Sequence, residues 1–182
     1  MPHNAHAWER SYPNGLRWHE GFYPRPLYCL LDEAVRQWPD NIALDFFGKT
    51  YSYKRLGEMV NRIATGLTKI GVVKNTRVGL FMPNCPQYVM LYYAILKAGG
   101  TVVNFNPLYS GHEIAHELKD ANVEIIATVN LRATYDKLTS FIGNSTLRKI
   151  IMCNFGEAMP MTKRALFMAA KAKDIAHAPH DS

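Results

Sequence analysis

RVGLFMPNCPQYVMLYYAILKAGGTVVNF, residues 77–105, decides the fold. It begins with a continuous apolar run, Arg77 to Met82, and ends with another, Thr101 to Phe105. The residues between them, 86–97, read as one helix, with Asn84 placed as its N-cap and Gln87 placed to complete a capping box. Two short runs without polar alternation are strands buried on both faces, and a helix between them makes a parallel βαβ unit with a right-handed crossover.

The same grammar continues downstream. Ser110 leads into a helix with Ile114, Leu118 and Ala121 on one face. A strand follows at 124–129, a helix at 131–142 and a fourth strand at 149–153. Upstream, Ser52 caps a helix with the stripe Leu56, Val60, Ile63, Leu67 and Ile70, which stops at Gly71. Before it, residues 42–46 and 49–53 read as two strands joined by a tight turn at Gly48. Leu27, Leu31, Ala34, Val35 and Trp38 recur at helical spacing ahead of Pro39. The fold class is therefore doubly wound α/β, a mostly parallel sheet with helices on both faces. Three parts are expected. Residues 1–26, punctuated by Pro2, Pro13, Pro24 and Pro26, form an extended arm, 27–155 the α/β unit, and 156–182 a tail or linker.

The chain has 182 residues, 48% hydrophobic and 20% charged, a mixture that excludes disordered and collagen-like classes. No apolar core follows the N-terminus MPHNAHAWER, so no secretory signal is expected. The longest apolar run, Tyr88 to Leu96, falls far short of the about 20 residues that cross a bilayer. Cys29, Cys85 and Cys153 are scattered and odd in number, which fits a reducing compartment rather than a disulfide framework. Cys85, beside Pro86, reads as a small apolar filler. The net charge of +6 is spread along the chain without a nucleic-acid-binding pattern, so no nucleic-acid partner is expected. A cytoplasmic location follows, with peripheral contact on the inner face of a membrane as the extension considered for the tail. There Met161, Ala165, Met168, Ala172 and Ile175 would share one side of a helix over 161–177, opposite Lys163, Arg164 and Lys171.

Two patterns compete to carry chemistry. His112-Glu113-Ile114-Ala115-His116 matches H-E-x-x-H, in which two histidines one turn apart bind zinc and the glutamate acts as general base. Both histidines fall opposite the Ile114/Leu118 stripe, toward solvent. No third ligand is apparent beyond Glu157, since Glu124 sits too close in a strand.

The other pattern is distributed. Tyr51-Ser52-Tyr53-Lys54-Arg55-Leu56 resembles the T-Y-x-E-L element of adenylate-forming enzymes. Arg77 to Asn84 is similar to their D-R-V-A-x-x-x-P-N segment, and Leu96 to Asn104 to their L-K-A-G-x-x-x-V. Val103-Asn104-Phe105-Asn106-Pro107-Leu108-Tyr109 resembles the V-N-x-N-P-L-Y of bacterial long-chain fatty acid–CoA ligases. Trp8 with Ser11-Tyr12-Pro13 resembles their W-x-x-S-Y-P. The likeness covers about residues 8–155. Where the ligases continue T-P-R-E-L-E-H-Q-L, Glu113, His116 and Leu118 fall on family positions, so the zinc-like pentapeptide arises from the substitution at His112.

The resemblance implies the N-terminal part of a ligase whose parent uses ATP, Mg²⁺ and coenzyme A to turn a fatty acid into an acyl-adenylate and then an acyl-CoA. The family's phosphate loop, T-S-G-T-T-G-x-P-K-G, has no counterpart in residues 1–182, and neither Walker-type nor dinucleotide-type glycine patterns replace it. No catalytic, cofactor-binding or metal residue can be assigned, and this chain alone is expected to be inactive. Its main partner would be the rest of its own parent chain. The helix at 86–97 is apolar on every side and expected to be buried on every side, with part of the cover coming from the rest of the parent chain, since a unit of this size cannot cover it completely. Its Tyr88 and Tyr92 are candidates for the acyl pocket or for the seam with the next subdomain. A zinc hydrolase using His112, Glu113 and His116, and a stand-alone α/β binding module, are the alternatives.

Overall fold

The computed structural model describes residues 7–13 and 24–177. The chain runs through α1 (Tyr28–Gln37), β1 (Ile42–Phe46), β2 (Lys49–Ser52), α2 (Tyr53–Lys69), β3 (Arg77–Phe81) and α3 (Pro86–Lys97). It continues through β4 (Thr101–Asn104), α4 (Gly111–Asp120), β5 (Ile125–Val129), α5 (Arg132–Thr139), β6 (Lys149–Cys153) and α6 (Met161–Ala170). β3 to β6 form one parallel sheet in the order β4-β3-β5-β6. β1 and β2 stand apart as an antiparallel hairpin.

Alternation along the strands builds two cores. Val78, Leu80, Ile125, Ala127 and Val129 point to the face covered by α1, α2 and α3. Phe81 and Ile126 point to the other face, where they meet Phe105, Ile114 and Leu118 of α4, and Leu138 of α5. Every residue of β5 is buried, which is why the strand reads as an unbroken apolar run. Helices on both faces of a parallel sheet make the fold doubly wound, as the sequence predicts.

Local chemistry sets the element ends. Phe47 and Gly48, the two residues of the β1–β2 turn, both take positive φ (55° and 88°), as a two-residue hairpin turn with the strands' twist requires. The Ser52 side chain accepts from the Arg55 backbone N–H and starts α2. α4 begins with a complete capping box between Ser110 and Glu113. Gly99 ends the α3 turn at φ +89° with Lys74 backbone atoms 3.4 Å from where a Cβ would stand.

Three expectations are corrected. The N-cap of α3 is Cys85 rather than Asn84, and there is no capping box, because Pro86 takes the first helical turn and restricts Cys85 to extended backbone. Gln87 reaches across to Asn154 instead. As expected for a unit of this size, α3 is covered only in part. Pro86, Met90, Leu91, Ala94 and Ile95 are enclosed, while Tyr88, Val89, Tyr92, Tyr93 and Leu96 are half-buried. In the arm, Ala7–Ser11 form a 3-10 turn rather than extended chain; residues 1–6 and 14–23 lie outside the described residues. Finally, the tail helix stops at Ala170, not near His177. Ile175 is pulled out of it to bridge Leu131 and is buried there.

Candidate functional site

In a doubly wound sheet the natural crevice lies beyond the carboxyl ends of the strands, where the winding changes direction. Here the chain goes from β3 outward to β4 and then returns across to β5, so the switch lies between β3 and β5. Asn130, just after β5, ties this end together. Its N–H donates to Cys153 O (2.9 Å), its Oδ1 accepts from Phe155 N (2.8 Å), and its carbonyl accepts from Ala176 N (3.0 Å). Deeper in, the Thr128 hydroxyl donates to the Phe81 carbonyl (2.8 Å) and clips β5 to β3.

Beside this end a cleft of about 360 Å³ opens between the hairpin, α2, α3 and the segment after β6. Lys49, Arg55 and Arg164 line it, with Glu157 the one carboxylate among its lining residues. Lys49 Nζ donates to the Glu157 backbone carbonyl (2.6 Å) and lies 5.6 Å from the centre of the Tyr51 ring. Tyr51 is buried at the back, and burial pushes its hydroxyl pKa up. Gln87 projects in from the first turn of α3. Its Nε2 donates to the Asn154 carbonyl (2.9 Å), whereas its Oε1 is buried and finds no donor among the described residues.

A second surface lies on the half-buried arc of α3. The Tyr88 and Tyr92 rings stack with centroids 6.3 Å apart, and Tyr93 meets Tyr92 edge-on at 5.9 Å. The Tyr88 hydroxyl donates to Asn104 Oδ1 (2.8 Å) at the end of the edge strand β4. Burial, and then the neighbouring Tyr92, raise the Tyr88 pKa, so the hydroxyl stays a neutral donor.

Of the H-E-x-x-H residues, Glu113 is engaged in the cap of α4. His112 and His116 are exposed, while Ile114 and Leu118 on the opposite side are fully buried. Both Ser110 N and Oγ donate to Glu113 Oε2, at 2.8 and 2.7 Å, and these bonds lower the Glu113 pKa. No group of three His, Cys, Asp or Glu side chains among the described residues is placed to hold a metal ion. On α6, Met161, Ala165 and Met168 of the expected apolar side are exposed, while Ile175 lies beyond the helix. Leu166 is exposed as well, Phe167 packs on Phe155 (5.6 Å), and Lys163 turns away to the Phe47 carbonyl. No helix among the described residues is long and apolar enough to cross a membrane.

Sequence reasoning singles out Tyr88 and Tyr92 but not the cleft. Lys49, Arg55, Gln87 and Arg164 come from separate elements, so no local motif could announce them.

The AMP-binding enzyme family model matches residues 31–180. A long-chain-fatty-acid–CoA ligase of Bacillus subtilis is 32% identical over 169 residues, covering 92% of this chain and 30% of the relative. One from Haemophilus influenzae is 31% identical over 165 residues, covering 87% of this chain and 28% of the relative. The chain thus spans about 30% of the length of the curated relatives it matches. Among solved structures, a long-chain-fatty-acid-CoA ligase from Archaeoglobus fulgidus superposes with a TM-score of 0.66 at 22% identity, over 76% of this chain and 30% of the other. The N-terminal domain of FACL13 from Mycobacterium tuberculosis superposes at 0.66 and 19% identity, over 87% of this chain and 39% of the other. At those identities the structures speak for the fold.

Proposed function

Because the chain belongs to the AMP-binding enzyme family, we propose that it is the N-terminal part of a long-chain fatty acid–CoA ligase and serves there as scaffold. The observation that carries this reading is the match to ligases from two bacteria across most of this chain but only about 30% of their length. The parent would use ATP and Mg²⁺ to make the acyl-adenylate and coenzyme A to receive the acyl group, as a cytoplasmic enzyme. Acyl-adenylate formation needs a loop around the triphosphate, a metal-holding carboxylate and a positioned cation acting together, and losing one such contributor typically costs about 10²–10³ in rate. Residues 1–182 contain no such loop, so this stretch on its own is inactive. It contributes the α/β unit and, through Tyr88 and Tyr92 on the half-covered arc of α3, a wall of the acyl pocket or the seam with the next subdomain. An arc of stacked aromatics left half-buried suits either apolar neighbour.

Reading the gene past Ser182 and assaying fatty-acid-dependent ATP–pyrophosphate exchange tests the proposal. Exchange by the longer product, with none from residues 1–182, is the expected result. Exchange that copurifies with residues 1–182 alone would overturn it, and a gene with no phosphate loop downstream would favour a stand-alone binding module. In the longer product, Tyr92→Ala should shift chain-length preference if the arc lines the acyl pocket, or lower the melting temperature without that shift if it lines the seam.

A further inference from the structure

We propose that the free edge of β4 pairs with β4 of a second copy of the chain, antiparallel about a two-fold axis at Val103, and so joins two sheets into one. The proposal is independent of the ligase reading, since it rests on the sheet and its rim alone.

Backbone geometry gives the first part of the argument. β4 stands at the end of the order β4-β3-β5-β6, so only one of its sides is hydrogen-bonded. The Thr101 N–H donates to the Thr76 carbonyl (2.8 Å), and the Phe105 N–H to the Leu80 carbonyl (2.9 Å). Backbone groups alternate sides along a strand. Val102 and Asn104 therefore aim their N–H and C=O groups outward, where no strand lies among the described residues. Such an edge is complementary to itself. With Val103 facing Val103 of the second copy, Val102 stands opposite Asn104 of that copy, and each such pair exchanges both N–H···O bonds.

Packing on both faces stops short at this same rim. Val102 is half-buried in the core under α3, as are Tyr88 and Tyr92. Val103 is half-buried in the other core, as is Tyr109. A sheet that continued past β4 would extend the cover of both layers at once.

Charge selects the occupant. Copies of a chain with a net charge of +6 repel one another, so a self-contact must fall where charge is absent. β4 reads Thr-Val-Val-Asn, with no charge, no proline and no bulge to guard it. The rim continues over Tyr88, which is bonded to Asn104, and over Tyr92 stacked upon it, both uncharged. The opposite edge differs, since Arg148 and Lys149 stand at the start of β6 and oppose self-pairing there.

Analytical ultracentrifugation of the chain between about 1 and 100 μM tests the pairing. A short edge makes a small interface of the weak class, so the mass should rise with concentration from monomer toward dimer. Val102→Pro removes an outward N–H without touching the bonds to β3, and should stay monomeric throughout while melting cooperatively. Oxidation reads the register. In a Cys29→Ser background, Val103→Cys should form an intermolecular disulfide, because residues facing at the axis would have Cα atoms about 4.5 Å apart. Thr101→Cys should not, because its two copies would lie about 14 Å apart. If Val102→Pro does not melt cooperatively, the two cysteine variants decide. A monomer at every concentration would leave the edge to the rest of the parent chain and overturn the proposal. So would a dimer that persists in folded Val102→Pro, or cross-linking no better at 103 than at 101.

Discussion

Tyr88 on α3 and Asn104 at the end of β4 are joined by a 2.8 Å hydrogen bond, hydroxyl to side-chain oxygen. It fastens the half-covered arc of the helix to the edge of the sheet. Tyr88→Phe should cost about 0.5 kcal/mol, the low end for a hydrogen bond with solvent nearby. A double-mutant cycle with Asn104→Ala should return a coupling of similar size. Zero coupling in denaturant melts would show that the bond does not hold in solution.

Gly79 on β3 sits where the sheet meets its second core. A Cβ there would stand 2.8 Å from Ile126 Cγ1 and 2.9 Å from Phe105 Cε2. Both neighbours are buried, so neither can swing aside freely. Gly79→Ala should destabilise by about 1–3 kcal/mol through overpacking. A companion Ile126→Val should recover part of the loss, measured by urea unfolding.

Ser110 caps α4 through its hydroxyl, and Ser110→Ala should lower stability by about 1 kcal/mol. The reciprocal contact depends on an ionised Glu113, whose folded pKa is depressed by its bonds from the Ser110 backbone and hydroxyl. Its contribution is therefore present above the unfolded carboxylate pKa and is lost as pH falls through the folded one. Glu113→Gln should flatten the acid limb of the melting profile. Because the capping box already occupies this carboxylate, added zinc should shift the melting temperature of the parent chain and of His116→Ala equally. A zinc response that only the parent shows would restore the metal reading.

Burial, then the nearby Cys85 and Glu157, push the Cys153 thiol pKa up to about 12. Burial also raises that of Cys85. Thiolate is the reactive form, so Cys85 and Cys153 should react with a thiol reagent near pH 8 much more slowly in the folded chain than after unfolding. A raised acid pKa in the folded state means that stability is intact below about 8.5 and declines as pH climbs toward 12. Cys153→Ser should remove part of that alkaline decline. Labelling of Cys85 and Cys153 as fast in the native chain as in the unfolded one would contradict the raised pKa values.

The hairpin, the Ser52 and Ser110 caps and the four parallel strands were legible because each is dictated within a few residues. The N-cap of α3 was misplaced for an equally local reason, since a proline at the first helical turn outweighs an asparagine two positions earlier. The end of the tail helix was beyond sequence reading. Ile175 is drawn off by Leu131, more than forty positions away, and only tertiary contact decides that. The cleft was illegible in the same way, since Lys49 and Arg164 become neighbours only once the hairpin and α6 have both docked.

The placement of β3 between β4 and β5 also fixes an order of events as the chain folds. Val78 must find Val102 on one side and Ile125 on the other, closing loops of very different length. The hairpin from Ile42 to Ser52 can close within about 1–10 μs, but the β3–β5 pairing must first confine everything between them. Until Ile126 is delivered, Phe81 lacks the strand beside it, and Phe105 has only part of its core. The longer-range of the two pairings of β3 is thus also the one that completes the enclosure of Phe81.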